Sequence, residues 1–236
     1  MRCKIADFNI EIINEQPRWE KKLIKYKEDF LQANIIIDFN DFDLEYEKTL
    51  CEPPYVLGFL KNAICLRKIG NWLPINNAFI LHSACFDVDG VGIAFAAHSG
   101  TGKTTHMLNW QKVLGDKMTV VNGDKPIIRF FDDEPNIPYA YGTPWNGKEH
   151  FGCNMRTQLK HICFIERSQT NFVEKVEKAE VIDKIFNQVY MPKDPVAVMK
   201  TMELIDKLLS CCELWKIHCN MDISSAQTAI NAILNV

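Results

Sequence analysis

The chain has 236 residues, 47% of them apolar, and its 27 basic residues nearly balance 30 acidic ones for a formal net charge of -3. A chain of that length can bury a sizeable core, and so even a charge balance gives no electrostatic footing for nucleic acid or an anionic membrane as partner. Nine cysteines, an odd number with no Cys-x-x-Cys pair, read as small buried hydrophobes rather than as a disulfide framework or a zinc site.

No run approaches the roughly 20 apolar residues of a membrane span, and the N-terminus lacks the long apolar region of a signal peptide, so a cytoplasmic location is expected. Residues 4–13 alternate imperfectly and predict a strand, and Asn34-Ile-Ile-Ile-Asp-Phe39 predicts a second. The charged stretch 19–30 between them carries no clear pattern. Pro53-Pro54 breaks the chain, and Val56, Leu60, Ile64 and Leu73 then predict an amphipathic helix over 55–73. An apolar run over 78–88 predicts a strand, Asp89-Gly90 a hairpin turn, and Val91-Gly-Ile-Ala-Phe-Ala-Ala97 the returning strand.

From Lys103 onward, Met107, Leu108 and Leu114 predict a helix with a core-facing side. Short strands follow over 118–124 and 125–131, with a turn at 132–135. The segment 141–150 is rich in loop formers yet carries Trp145, Lys148, Glu149 and His150, a mixture common at sites. The remainder reads as a strand over 159–166, helices over 177–190 and 195–209, a strand over 214–219 and a helix over 224–234. With no repeat or linker, the expectation is one α/β domain over 1–236: an N-terminal elaboration, 1–75, on a P-loop kinase-like core, 76–236. The hairpin before the loop interrupts strict strand and helix alternation, so the sheet should be mixed.

The sharpest signal lies between the strand ending at Ala97 and the helix starting at Lys103: Ala97-His98-Ser99-Gly100-Thr101-Gly102-Lys103-Thr104-Thr105. Apart from Ala97 in place of the first glycine, this is the phosphate loop G-x-x-x-x-G-K-[ST]. Small residues let successive amides converge on phosphate oxygens, the lysine reaches the β/γ-phosphates and the hydroxyl holds Mg²⁺. The helix N-terminus adds partial positive charge there. Ser99, Gly100, Thr101, Gly102, Lys103, Thr104 and Thr105 are therefore the candidate nucleotide-binding residues, with ATP and Mg²⁺ as expected cofactors.

Asp124, closing the strand after Val120-Val121, is a candidate Mg²⁺ carboxylate alongside Thr104, or the base that accepts a substrate hydroxyl proton. Asn-Gly-Asp is also good turn chemistry, so a solvated turn residue is the plain alternative. Lys125, Arg129 and Lys148 are further cations that could embrace phosphate or an acidic substrate, and His98 and His106 flank the loop. Trp145 either covers the site or packs for stability. His82, in an apolar run, reads by default as a core histidine.

The stretch 82–105 resembles the HPr kinase/phosphorylase family without a gap: a histidine opening a strand at His82, then Asp87, Gly90-Val-Gly92, an apolar strand over 93–97 and the loop 99–104. The loop also resembles that of ATP-dependent phosphoenolpyruvate carboxykinase, which shares the core of that family. Val120-Val-Asn-Gly-Asp-Lys-Pro-Ile-Ile128 and Tyr141-Gly-Thr-Pro-Trp-Asn-Gly-Lys-Glu149 resemble a smaller HPr kinase-related group. The resemblance spans about residues 78–220. It implies an α/β fold with a mixed sheet around the P-loop and helices packed on it, and an ATP-dependent, Mg²⁺-requiring phosphotransferase acting on a hydroxyl of a small molecule or a protein or peptide serine. It also implies self-association, and a role for His82 in tuning Asp124 or contacting phosphate, which makes Asp124, His82 and Lys103 the catalytic candidates.

Three departures stand out: Gly123-Asp124 where the family has an acidic pair, Ala97-His98 for its Gly-Asp, and Thr105 where an acid follows its loop. Two other classes stay open. One is a nucleotide-binding sensor or interaction module without efficient catalysis. The other is a carboxykinase-like enzyme of carboxylated metabolites, against which the short chain argues.

Overall fold

In the computed structural model, which describes residues 1–13 and 21–234, β1 (Arg2–Ile5) and β2 (Phe8–Ile12) form an antiparallel hairpin. The alternation over 4–13 predicts one strand. The difference lies in Ala6 and Asp7, which both take left-handed φ values of 53° and 59° and so form a two-residue turn matched to strand twist. Ala-Asp does not announce such a turn as Asn-Gly would. β3 (Ile35–Ile37) joins parallel to β2. Residues 19 and 20, at the start of the unpatterned stretch 19–30, lie outside the described residues.

α1 (Asp41–Lys48) starts at a capping box, the Asn40 side chain accepting from the Asp43 amide. α2 (Leu57–Trp72) buries Leu60, Ile64 and Ile69, close to the predicted span. The larger sheet then takes β4 (Ala78–Ile80), β5 (Ser83–Val88), β6 (Val91–Ala96), β7 (Met118–Asn122), β8 (Ile127–Arg129), β9 (Tyr139–Tyr141), β10 (Arg156–Arg167), β11 (Phe172–Lys175) and β12 (Glu213–Cys219). Its order is β4-β8-β9-β10-β6-β5-β7, with β12 on β10 and β11 on β12. β6, β10 and β12 run parallel, and the other pairings are antiparallel. The protein is thus α/β with a mixed sheet.

The helices are α3 (Lys103–Leu114), α4 (Ile182–Phe186), α5 (Pro195–Cys211) and α6 (Ile223–Leu234). Alternation along β6 decides their layers, because successive side chains leave opposite faces. Ile93 and Phe95 pack with Phe86, Trp110 of α3 and Ile230 of α6, while Ala94 and Ala96 pack with Phe164, Ile185 of α4 and Leu208 of α5. Covered on both faces, β6 and its parallel neighbour β10 read as nearly unbroken apolar runs. A third cluster joins Ile5 and Ile10 of the small sheet to Ile80, Ile127 and Tyr141 of the large one. Among the described residues no helix is long and apolar enough to cross a membrane.

Two further expectations are corrected. The run 78–88 is not one strand: β4 pairs with β8, whereas β5 pairs with β6 and β7. At the break, Leu81 bridges Val189, the His82 amide donates to the Gln188 carbonyl (2.6 Å) and the Tyr190 amide to the Ile80 carbonyl (3.0 Å). For that reason the helix expected over 177–190 shrinks to a 3-10 turn, Lys178–Glu180, and α4. Residues 188–190 leave the helix because residues 80–82 claim their backbone groups. β9 and β11, three and four residues long, are too short to show a period.

Close backbone approach constrains the connection after β9. A Cβ on Gly142 would lie 1.8 Å from the Cys153 carbonyl oxygen and 2.8 Å from that of Val121. Gly142→Ala is therefore expected to cost about 3 kcal/mol or more in stability, read as a lowered urea midpoint. A wild-type midpoint would remove this constraint.

Candidate active site

Between β6 and α3 the chain makes an exposed turn in which Gly100 and Gly102 adopt φ of 77° and 120°, values that side chains with a Cβ rarely tolerate. Gly102 caps α3 without any side-chain hydrogen bond, unlike the Asn40 and Asp194 caps of α1 and α5. Among the described residues the Gly100, Gly102, Lys103 and Thr104 amides donate to no other group, whereas the Thr101 amide bonds the His98 carbonyl at 3.2 Å. Five of the six carbonyls of residues 97–102 are occupied. Lys103 Nζ donates to Ala97 O (2.6 Å) and His98 O (3.5 Å), the Arg167 guanidinium to Gly100 O (2.5 Å) and Thr101 O (3.4 Å), and the His106 amide to Gly102 O.

Lys103 is 8% exposed. Burial lowers its pKa, Asp124 works against that shift and Lys125 adds to it. An ammonium group held so, with main-chain carbonyls as its hydrogen-bond partners, stands to gain from an anion placed beside it.

Asp124 lies across the cleft at the turn after β7. Its Oδ1 is 3.2 Å from His82 Nε2 and its Oδ2 is 2.6 Å from Lys125 Nζ. Burial alone would raise its pKa, but the hydrogen bonds from His82 and Lys125, and their charges, outweigh it and hold the carboxyl at about 2. The turn itself is built by Asn122, fully buried. Its Oδ1 accepts from the Asp124 and Lys125 amides (2.9 and 2.7 Å), and its Nδ2 donates to Thr143 O and Oγ1 (3.1 and 3.0 Å).

These parts line one cleft of about 510 Å³, with His82, Ser99, Gly100, Gly102, Lys103, Thr104, Thr105 and Asp124 on its walls, a size typical of small-molecule sites. Lys148 also lines it. Thr101 and His98 face a smaller space of about 150 Å³ on the other side of the loop. Lys125 reaches the cleft through its ion pair with Asp124.

Four contributors were not assigned by sequence: Glu149 and Met221 on the cleft wall, Arg167 clamping the loop, and Asn122 beneath Asp124. Glu149 stands in the loop-rich segment 141–150 that sequence marks as site-like. Nothing local marks the others, which depend on strand ends meeting across the sheet.

Several flanking candidates fall elsewhere. Arg129 donates to the Ala6 carbonyl (2.6 Å) and lies over the Phe8 ring, at the small sheet. Trp145 is buried and its indole N–H bonds Asn62 Oδ1 at 3.1 Å, a packing role. Asp87 accepts from the Gly90 amide and the Thr157 hydroxyl, tying the hairpin. His106 is 3% exposed, accepting from the Trp110 indole at Nε2 and facing Ser225 Oγ at 3.3 Å through Nδ1. It is a core residue because position 106 faces Phe95 of the sheet. No group of three or more His, Cys, Asp or Glu side chains arranged to hold a metal ion occurs among the described residues.

No protein-family model matches the sequence, and no curated protein matches it. Among solved structures, the Hpr(Ser) kinase/phosphatase from Coxiella burnetii is similar over 66% of this chain and 97% of its own, with 8% identity and a TM-score of 0.39.

Burial lowers the pKa of His106 from 6.5 to about 4. The unfolded chain therefore binds a proton that the folded chain refuses. Stability is intact above pH 6.5 and is lost as pH falls towards 4, by about 3 kcal/mol in total. Denaturant unfolding across that window should show this slope, and His106→Gln should flatten it. An unchanged slope in the variant would place the acid sensitivity elsewhere.

Proposed function

We propose that this chain is an ATP-dependent phosphotransferase that requires Mg²⁺ and acts on a hydroxyl of a small molecule or of a protein or peptide serine. One juxtaposition carries the reading: a glycine-rich helix start with unpaired amides and a buried ammonium group shares a cleft with an ionised carboxylate held by a histidine and a lysine. Phosphoryl transfer asks chiefly for positioning and charge neutralisation, because the transferring group passes through a loose, anionic transition state. The loop amides and Lys103 suit the β- and γ-phosphates.

The oxygen donors fit magnesium, a hard ion that takes one or two carboxylates and keeps several waters. Thr104 and Asp124 are the residues that would hold it, and the bound ion would neutralise phosphate charge. Asp124 suits this role and the orienting of an acceptor hydroxyl better than proton removal, since a carboxyl held at about 2 is a weak base. In the step itself, the acceptor oxygen bonds to the γ-phosphorus while the bond to the β,γ-bridging oxygen breaks. ADP leaves with that electron pair and the hydroxyl proton passes to water.

Lys103→Ala is expected to abolish Mg-ATP binding in calorimetry. Asp124→Asn should retain nucleotide and lower turnover by about a hundredfold or more. Wild-type protein that binds no Mg-ATP at millimolar ligand would end the enzyme reading. Binding without transfer to a broad acceptor panel would favour the sensor, which Gly123 in place of an acid already suggests.

A further inference from the structure

Residues 144–152 wall two spaces. Gly147, Lys148 and Glu149 line the cleft, whereas Asn146 and His150, their immediate neighbours in the chain, line a separate cavity of about 340 Å³ with Lys21, Lys22, Lys25 and Tyr26. Consecutive Cα atoms lie about 3.8 Å apart, so the partition between the two spaces is no thicker than a loop.

The chemistry of this cavity is one-sided. Three ammonium groups, a phenol, an amide and an imidazole line it, and among the described residues no carboxylate does, in contrast with the cleft and its Asp124 and Glu149. Among the described residues, none of these six side chains has a hydrogen-bond or ion-pair partner. Tyr26 is the most telling. The residue is 3% exposed, so its ring is packed, yet its hydroxyl keeps access to the cavity and has no protein partner. Burial drives its ionisation well above the usual range, which keeps the O–H a donor. The hydroxyl is therefore a donor open to the cavity, able to bond an acceptor that arrives there.

We propose that this cavity binds a compact ligand carrying two or more anionic oxygens, as carboxylate or phosphate. Resting on the phosphotransferase reading, the ligand is the charged end of the acceptor, whose hydroxyl reaches past the loop into the cleft.

Calorimetric titration with citrate and with glycerol 3-phosphate separates the two sources of charge, and the Lys103→Ala protein measured in parallel removes binding at the glycine-rich loop. At least one probe should bind wild-type and Lys103→Ala proteins alike. The double variant Lys22→Ala/Lys25→Ala should weaken it by about tenfold or more. Tyr26→Phe, which keeps the packed ring, should weaken it by about threefold. ATP affinity should be unchanged in both variants. No binding of either probe, or binding lost with Lys103 and indifferent to Lys22 and Lys25, overturns the site.

The acceptor role is read separately with Mg-ATP. Hydroxylated acids should consume ATP faster than neutral polyols, and the double lysine variant should erase that preference. A preference for neutral polyols, or one insensitive to the two lysines, overturns the acceptor role. Anion binding in a protein that binds no ATP overturns the phosphotransferase reading and leaves the cavity an anion site.

Discussion

The cleft depends on one buried amide. Asn122 is sealed from solvent at the end of β7, where each unmet hydrogen bond would cost about 1–3 kcal/mol. It meets all four: two amides of its own turn on the oxygen, and the carbonyl and hydroxyl of Thr143 on the nitrogen. Thr143 is equally saturated, donating to the Lys125 carbonyl and accepting from the Trp145 amide. The pair welds the turn that bears Asp124 to the start of the loop that bears Lys148 and Glu149. A network so fully satisfied is stiff, and moving one wall of the cleft means breaking the bonds of the other.

The opposite wall gets its character from an imbalance. Five carbonyls of residues 97–102 are engaged, four of them by the cations Lys103 and Arg167, while four amides between Gly100 and Thr104 are not. What the turn offers to the cleft is therefore almost purely donor in character, reinforced by the uncapped start of α3. Arg167 matters here without touching the cleft, since it takes up acceptors that would otherwise dilute the field. Facing this surface, Asp124 shares its two oxygens between His82 and Lys125, so the cleft sets Lys103 and Lys148 opposite a carboxylate that is itself held by cations.

Local patterns made part of this legible in the sequence. Strand, glycine-rich turn and helix over 91–114 could be read because β6 is covered on both faces and α3 starts at a glycine, features that leave a mark within a few residues. The same holds for α2, α5 and β12. The hairpin at Ala6-Asp7 left no such mark because its turn residues are atypical, nor did the break at Leu81-His82 and the non-helical segment 188–190, which are decided by each other across the chain. At the site, the sequence pointed to Lys103 and Thr104 through the spacing of the loop and to Asp124 through its place at the end of a strand. It could not point to Asn122 or Arg167, whose roles exist only once β7, β10 and the loop meet. Arg129, one of the further cations that could have embraced phosphate, lies instead at the small sheet.

The break at residues 81–83 shows why the motif alone is not the site. Leu81 and Ser83 donate their amides to the Pro126 and Asp124 carbonyls, while the amide of His82 between them turns the other way, to Gln188. This is the alternation of a strand with a different partner on each side, and it ties Asp124 twice: by its carbonyl to Ser83 and by its carboxylate to His82. Had the run 78–88 continued straight as one strand on β8, His82 would have stayed in that ladder without the Gln188 contact, and Asp124 would have lost the imidazole that helps hold its proton off. One of the two cationic contacts that hold the Asp124 carboxylate ionised thus rests on main-chain bonds from residues 188–190, more than sixty positions away and in a stretch whose composition favours helix.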